Sequence, residues 1–367
     1  MKKRLFSLLL VSALVFTLSG CGEKSLLRES DPVTLNFWHV YGEQSGSPMD
    51  LLVQEFNRTV VQEKGVRVQV TNLSSASKIG GFLKEAQKGG RDAPEMPDLF
   101  TCHISDATAL GSDNLVDWNA RFTAEELSNF VPGFLADGMT EDGTLLLFPI
   151  SKSTQLLMCN GSGFARSLAQ GHVVVSDLYS NTQVMTGDVL SGLGSSAAIL
   201  YYNDTVTYRD GTQEPMDLHV LPMPKTAGAD ALMTQAGVGL CAYKTTDQKA
   251  EAAALFVRWL TESERNLDFV AQTGYMPVRN GAFDAIENYD KFPEPTESYR
   301  QLYAALKIMQ ESYTPLSEPR FEGYYGKVSQ LYDGLRQMQQ KLPARAAAGE
   351  SIDTLAEETW ALLCAIH

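Results

Sequence analysis

Val33-Thr-Leu-Asn-Phe-Trp-His39 is followed by a polar loop, a Ser47-Pro48 helix start and then Val66-Arg-Val-Gln-Val70. The alternation of Val33, Leu35 and Phe37 with Thr34, Asn36 and Trp38 predicts a half-buried strand ending at His39. Ser47 can cap the helix that follows, with Pro48 at its first position and Asp50 at its third. Met49, Leu52, Val53, Phe56 and Val60 then recur on one helical face. Val66, Val68 and Val70 alternate as a second strand, Ile79, Phe82, Leu83 and Ala86 mark a second helix, and Asp98-Leu-Phe-Thr101 reads as a short buried strand. Strand, helix, strand, helix, strand predicts a parallel α/β sheet with right-handed crossovers. Ligands of such sheets bind beyond the carboxyl ends of the strands. His39 to Ser45, Ser74 to Ser77 and His103 to Asp106 occupy that position, and all three are polar.

Upstream of this unit, Lys2, Lys3 and Arg4 precede an apolar run from Leu5 to Leu18, ending in Leu18-Ser19-Gly20-Cys21. This is the layout of an export signal, and its apolar run is shorter than the ~20 residues a bilayer span needs. Leu-Ser-Gly-Cys resembles the bacterial lipobox, in which the cysteine is acylated and becomes the first residue, so lipidation (palmitate or a related acyl chain) is expected at Cys21. Cleavage there removes 20 residues and three positive charges, leaving 347 residues of net charge −17. Residues 21–32 read as a flexible tether; the eleven from Gly22 to Pro32 reach about 36 Å when extended.

Downstream, Thr123 and Glu126 form a capping box. Leu145 to Ile150 and Gln155 to Cys159 are apolar runs flanking Ser151-Lys-Ser-Thr154, a strand crossing between two lobes. Gly187 to Tyr202 and Leu218 to Pro222 belong to a second α/β unit, and Val238 to Tyr243 is another strand. Helices are expected at Asp247–Leu260, Ser263–Gln272, Ser298–Ser312, Gly323–Leu342 and Ile352–Ile366.

The chain of 367 residues is 44% apolar and 20% charged, which suits two ordinary domains and no low-complexity class. Its formal charge of −14 disfavours a nucleic-acid interface. The five histidines lack metal-ligand spacing, so no metal or cofactor is expected. No serine stands in a Gly-x-Ser-x-Gly elbow, and Gly187-Asp-Val-Leu-Ser-Gly192 lacks the Lys and Ser/Thr of a phosphate loop. An enzyme is not expected. Cys102, Cys159, Cys241 and Cys364 read as small apolar residues, with disulfide pairing left open.

Leu35-Asn-Phe-Trp-His-Val-Tyr-Gly42, Met96-Pro-Asp-Leu-Phe100 and Pro149-Ile-Ser-Lys-Ser-Thr154 resemble extracellular solute-binding proteins of family 1. So do Gly237-Val-Gly-Leu240, the helix ending Phe256-Val-Arg-Trp-Leu260, and Thr273-Gly-Tyr-Met-Pro-Val-Arg279. These are the capturing components of bacterial ABC importers, mostly for sugars, and the branch near the glycerol-3-phosphate and oligosaccharide binders looks closest. The resemblance implies two α/β lobes joined by a hinge, with ligand gripped between them. Lobe one would hold 33–150 and 238–316, and lobe two 151–237 and 317–367.

Carried over by position, Trp38, His39, Tyr41 and Glu43 form the first-strand loop of the ligand site, and Ser105 and Asp106 the third-strand loop. Ser153 and Thr154 lie on the crossing strand, Ser195 and Ser196 on lobe two, Gly237 on the returning strand and Tyr275 in the Gly-Tyr-Met-Pro turn. Arg320 and Tyr324 precede a late helix. Trp38 also suits a place in the lobe core, Arg320 a solvated ion pair, and Lys152 is expected to point outward. The sequence departs from the family after the crossing strand: the connection at 160–172 is short, so lobe two reads as reduced. The expected function is capture of a carbohydrate, or a glycerol-phosphate-like solute, by a lipid-anchored monomer for membrane permease subunits. The alternative is a truncated or signalling lipoprotein acting through a membrane partner.

Overall fold

The computed structural model describes residues 25–42, 47–73, 76–160, 179–225, 228, 230–294, 296–321 and 323–350. Cys21, Glu43, the short 160–172 connection beyond Asn160, and the expected Ile352–Ile366 helix lie outside the described residues.

Strands are β1 (Val33–His39), β2 (Val66–Asn72), β3 (Leu99–Cys102), β4 (Gln155–Asn160), β5 (Ser191–Ser195), β6 (Thr205–Thr207), β7 (Gln213–Pro215), β8 (Leu218–Leu221), β9 (Leu232–Gln235), β10 (Gly239–Ala242) and β11 (Thr314–Ser317). Helices are α1 (Pro48–Thr59), α2 (Val61–Lys64), α3 (Ala76–Lys88), α4 (Ile104–Leu110), α5 (Ala124–Ser128), α6 (Pro132–Asp137), α7 (Ser180–Met185), α8 (Asp247–Leu260), α9 (Ser263–Thr273), α10 (Asn280–Ala285), α11 (Thr296–Ser312) and α12 (Tyr324–Ala347).

The larger sheet has the order β10-β3-β1-β2. β1 pairs in parallel with β2 from Val33↔Val66 to His39↔Asn72 and with β3 at Phe37↔Leu99, while β10 closes the edge antiparallel to β3. The period-two pattern explains the burial: Val33, Leu35 and Phe37 point into the core, where Phe37 meets Phe256 of α8 edge-on at 5.7 Å. Ser47 accepts from the Asp50 amide and starts α1, whose Met49, Val53 and Phe56 are buried on the same side. The Thr123–Glu126 capping box forms as its spacing dictates. Cys102 on β3 and Cys241 on β10 are buried free thiols with Sγ atoms 3.7 Å apart.

The smaller sheet is antiparallel, β5-β4-β8. Buried Leu218 and Val220 line one of its faces. The Gln301 side chain of α11 accepts from the Val220 amide at 3.2 Å, so α11 packs on the smaller sheet. Its Tyr303 hydroxyl also donates to the Val270 and Tyr275 carbonyls at 2.7 and 3.0 Å, which ties that helix to α9.

Three segments run between the sheets side by side. The first is Ser151–Thr154, where Ser153 exchanges both backbone bonds with Ala236. The second is Gln235–Gly239, and the third is β11, which pairs in parallel with β9 at Ser317↔Gln235. This three-stranded seam is the multiply crossed hinge the sequence implied. Leu145–Ile150, the apolar run that leads into the crossing strand, is an extended segment held by single bridges at Met139↔Leu145 and Phe148↔Leu240.

One expectation is corrected at the amino-terminal side. Ser25–Pro32, read as flexible for want of apolar periodicity, is fastened to α8: Ser25 and Leu26 both donate to Glu251. A polar segment can dock through hydrogen bonds that periodicity does not register.

Candidate ligand cleft

Construction of the site starts at the carboxyl end of β1. His39 is fully buried; its Nδ1 accepts the Tyr41 amide at 3.1 Å, so Nε2 carries the proton and donates to Asp50 at 2.9 Å. Burial lowers the His39 pKa, opposed by Asp50. The ring is thereby locked, and its work is to fix the turn that aims Tyr41. The Tyr41 ring stands edge-on to Phe269 at 5.1 Å and to Tyr275 at 6.2 Å, and its hydroxyl meets Ser151 Oγ at 3.1 Å. Burial raises the Tyr41 pKa, so the phenol stays protonated.

The crossing strand carries the polar groups onward. Ser153 Oγ lies 2.7 Å from Ser195 Oγ, and the Ser196 amide donates to the Thr154 carbonyl at 2.8 Å. Because Gln155 pairs with Ser195, the register puts Thr154 opposite Ser196 on one face of the ladder. Gly237, beside Ser153, completes the turn. Gly274 closes the contact between lobes: its φ is +68°, and a Cβ there would fall 2.9 Å from Ala197 Cα and 3.0 Å from the Ser196 carbonyl. The structure therefore brings together Tyr41, Ser153, Thr154, Ser195, Ser196, Gly237 and Tyr275.

Three oxygens in this seam have no hydrogen-bond partner: Thr154 Oγ1, Ser196 Oγ and Gln235 Oε1. Thr154 and Ser196 are 0% exposed and Gln235 2%. An unsatisfied buried polar group costs about 1–3 kcal/mol, and these three come from sequence-distant segments that the ladder brings together: Thr154 stands opposite Ser196 and, beside the Ser153–Ala236 pair, opposite Gln235. Two surface hollows of about 270 and 370 Å³ lie elsewhere, on the β6–β7 hairpin and between Phe292 and α11, away from the seam.

Other expected site residues have different work. Trp38 turns to the opposite face of β1, where it is half-buried and packs edge-on to the exposed Phe82 of α3 at 6.3 Å. Ser105 and Asp106 lie in the first turn of α4, and the Asp106 carboxylate sits against α3 where a Gly80 Cβ would be 2.5 Å away. Burial raises the Asp106 pKa. Arg320 is not a solvated ion pair: it donates to the Met139, Ala136 and Asp137 carbonyls, covering the carboxyl end of α6. Tyr324 is half-buried at the start of α12, and burial raises its pKa.

The reading of Lys152 as outward-pointing is overturned. Lys152 is 1% exposed and donates to Asp137 of α6, itself 6% exposed. Polar flanks made Ser151-Lys-Ser-Thr154 look solvated, whereas the crossing strand is covered on both sides. His103, at the end of β3, adjoins this pair and lies 3.8 Å from Glu318. Asp137, Glu318 and Gln235 come from separate segments and share no spacing that would single them out, whereas His103 belongs to the polar His103–Asp106 segment already expected at the carboxyl end of its strand.

Burial, then the Lys152 ammonium, pushes the His103 pKa down to about 4 from 6.5. The Glu318 contact is too long for a hydrogen bond and does not reverse this. The unfolded chain therefore takes the proton first as pH falls. The stability is complete above pH 6.5, declines through the window to about 4 and is level below it, a loss of about 3 kcal/mol for a gap of this size. His103→Gln removes that share of the acid sensitivity. Melting curves from pH 7 to pH 4 will show a shallower decline for the variant; parallel curves would refute the assignment.

The profile of a family described as bacterial extracellular solute-binding protein matches residues 164–294. No curated protein sequence matches the chain. Among solved structures, the cyclic α-maltosyl-1,6-maltose binding protein of Arthrobacter globiformis is similar at a TM-score of 0.63 and 14% identity, over 92% of this chain and 99% of that one. UgpB of Mycobacterium tuberculosis, solved with glycerophosphocholine, is similar at 0.62 and 16%, over 91% and 99%. The sugar-binding protein MalE of Xanthomonas citri is similar at 0.59 and 13%, over 89% and 95%. Likeness at these identities shows the fold, and among the described residues no helix is long and apolar enough to cross a membrane. The resemblance read from the sequence therefore stands: the chain has the two-lobed fold of periplasmic binding proteins over about nine-tenths of its length, and residues 164–294 match the bacterial extracellular solute-binding protein family, whose members bind solutes rather than catalyse.

Proposed function

We propose that this protein captures a small polyhydroxylated solute between its lobes and delivers it to the membrane permease subunits of an ABC importer. A carbohydrate is favoured over a polyol-phosphate, and the protein acts as a monomer held to the outer face of the bacterial membrane by an acyl chain on Cys21. The observation that carries the reading is the set of unpartnered buried oxygens on Thr154, Ser196 and Gln235. Sugar hydroxyls both donate and accept, and they satisfy such groups; a flat C–H face suits the nearby Tyr275 ring. The nearby cations favour a neutral guest, because Lys152 is neutralised by Asp137 and Arg320 is engaged by α6 carbonyls. Solutes named for the similar structures include a cyclic maltosyl-maltose and glycerophosphocholine, which brackets the same choice. A truncated or signalling lipoprotein is disfavoured because both lobes contribute to the seam.

The test is a thermal-shift screen of neutral mono- and oligosaccharides against glycerol phosphates. A ligand at 100 times its Kd adds about 2.7 kcal/mol, enough to raise the melting temperature by several degrees. Neutral sugars are expected to give the shift, and a well-folded sample indifferent to both classes would defeat the reading. Intact mass of membrane-extracted protein will show a chain that starts at Cys21 and carries acyl groups; an unacylated chain removes the anchor.

A further inference from the structure

Cys102 of β3 and Cys241 of β10 lie on adjacent antiparallel strands, and both are 0% exposed. The register sets Cys102 opposite Gly239 and Cys241 opposite Phe100, so the two thiols are diagonal neighbours on one face of the sheet. Gly239 puts no side chain between them; Leu147 stands 2.4 Å from the place its Cβ would take. The sulfurs are 3.7 Å apart, and a disulfide of about 2.0 Å asks each to move by less than about 1 Å.

Closing this gap strands no polar group. The Cys241 thiol donates to the Leu146 carbonyl at 3.1 Å, and the Trp118 indole donates to the same oxygen at 3.1 Å. When Cys241 gives up its hydrogen, the carbonyl keeps the indole as its partner. Ile79, Leu83, Ala107 and Leu110 pack in the same apolar cluster and seal the pair from water. Burial, then the neighbouring Cys241, pushes the Cys102 pKa up, so the folded pair is thiol and not thiolate at neutral pH. Its oxidation state is therefore set while β10 docks on β3.

We infer that Cys102 and Cys241 are a modification site, joined by a disulfide in the exported protein. The inference rests on the extracytoplasmic location in the proposed function, because an oxidising compartment keeps such a bond. The oxidant is the disulfide of a thiol oxidoreductase. One cysteine, deprotonated, attacks a sulfur of that disulfide and releases the first oxidant thiolate; the other cysteine, deprotonated in turn, displaces the second. Two thiols lose two protons and two electrons, and the oxidant leaves as a dithiol. The bond falls one residue before His103 and just past the Gln235–Gly239 crossing, so it roots that crossing segment in the larger sheet. It closes a loop of 139 positions. A loop of that length corresponds to a rise of roughly 5 °C in melting temperature.

Two measurements separate the bond from the compartment. The mature chain is refolded from denaturant in reductant, and in parallel in a glutathione redox buffer, then alkylated and cut with trypsin. The glutathione sample will yield residues 92–121 linked to 226–244, a link distinct from any through Cys159 or Cys364. It will melt roughly 5 °C above the reduced sample, and Cys102→Ala and Cys241→Ala will each show no such difference between the two buffers. Alkylated Cys102 and Cys241 in both buffers overturn the bond and leave the sugar screen and the acyl-chain mass as independent readings. The second measurement maps protein taken from the bacterial surface with its thiols blocked on lysis, and the same link is expected. A link that forms in glutathione but is missing from the native protein overturns the modification, and if that protein also carries no acyl group, the location fails with it.

Discussion

Lys152→Met will lower the stability of the protein by about 3–5 kcal/mol, the usual penalty for leaving one member of a buried ion pair uncompensated. For a chain of this size that is a fall of roughly 4–7 °C in melting temperature. Methionine keeps most of the volume, so packing loss contributes little, and the measured drop reports the stranded Asp137 carboxylate, which is 6% exposed. Adding Asp137→Asn removes the stranded charge and will restore most of the stability. A second signature comes from His103. Its low pKa is caused first by burial and second by Lys152, while Asp137 pulls it upward. Without Lys152 the imidazole takes a proton at higher pH and can pair with Asp137, so the deficit of the variant will be smaller at pH 5 than at pH 7. A deficit that is the same at both pH values, or a melting temperature unchanged from the parent, would show that the pair is solvated in solution.

The ion pair also shows where reading the sequence stops. Periods of 2 and 3.6 expose which face of an element is buried, and so Val33–His39, the Met49–Phe56 face and the Thr123–Glu126 cap were legible. The order of strands and helices was sufficient to call the parallel sheet. Those patterns are local. Lys152 pairs with a residue 15 positions earlier on a different element, and nothing in Ser-Lys-Ser-Thr distinguishes a covered crossing strand from a loop. The same holds for the segment before β1, where Ser25 donates to Glu251 and the Asp31 carbonyl accepts from Gln248 across more than 200 positions. Of the expected site residues, the crossing segments bring together seven that their motifs had singled out, Tyr41, Ser153, Thr154, Ser195, Ser196, Gly237 and Tyr275. Trp38 and Arg320 carried the same motif signal, but alternation sends one to the far face of its strand and helix carbonyls claim the other. Gln235 stood in plain alternation with Met233, and only the parallel pairing of β9 with β11 places it at the hinge.

Thr154→Val combined with Ser196→Ala will separate binding from folding. Both hydroxyls are buried and unpartnered, so each now destabilises the ligand-free fold. Replacing them with apolar groups of similar shape removes a desolvation penalty and breaks no bond, because the Ser196 amide still donates to the Thr154 carbonyl. The ligand-free variant will therefore melt at or slightly above the temperature of the parent. A sugar that needs these oxygens loses two hydrogen bonds and leaves its own hydroxyls unsatisfied in the closed seam. At about 1–1.5 kcal/mol each, affinity falls by roughly 30- to 150-fold. Gln235→Leu, at the third unpartnered oxygen, will weaken the same ligand without affecting the Ser153–Ser195 contact. Calorimetric titration with the sugar that shifts the parent reads all three. Stability retained with affinity lost is the expected pair of results, and it is specific: a purely structural role would lower both, and an irrelevant site would leave affinity untouched. If the double variant binds as tightly as the parent, the ligand does not sit on this ladder and the assignment of the cleft to the Thr154–Ser196 face is wrong.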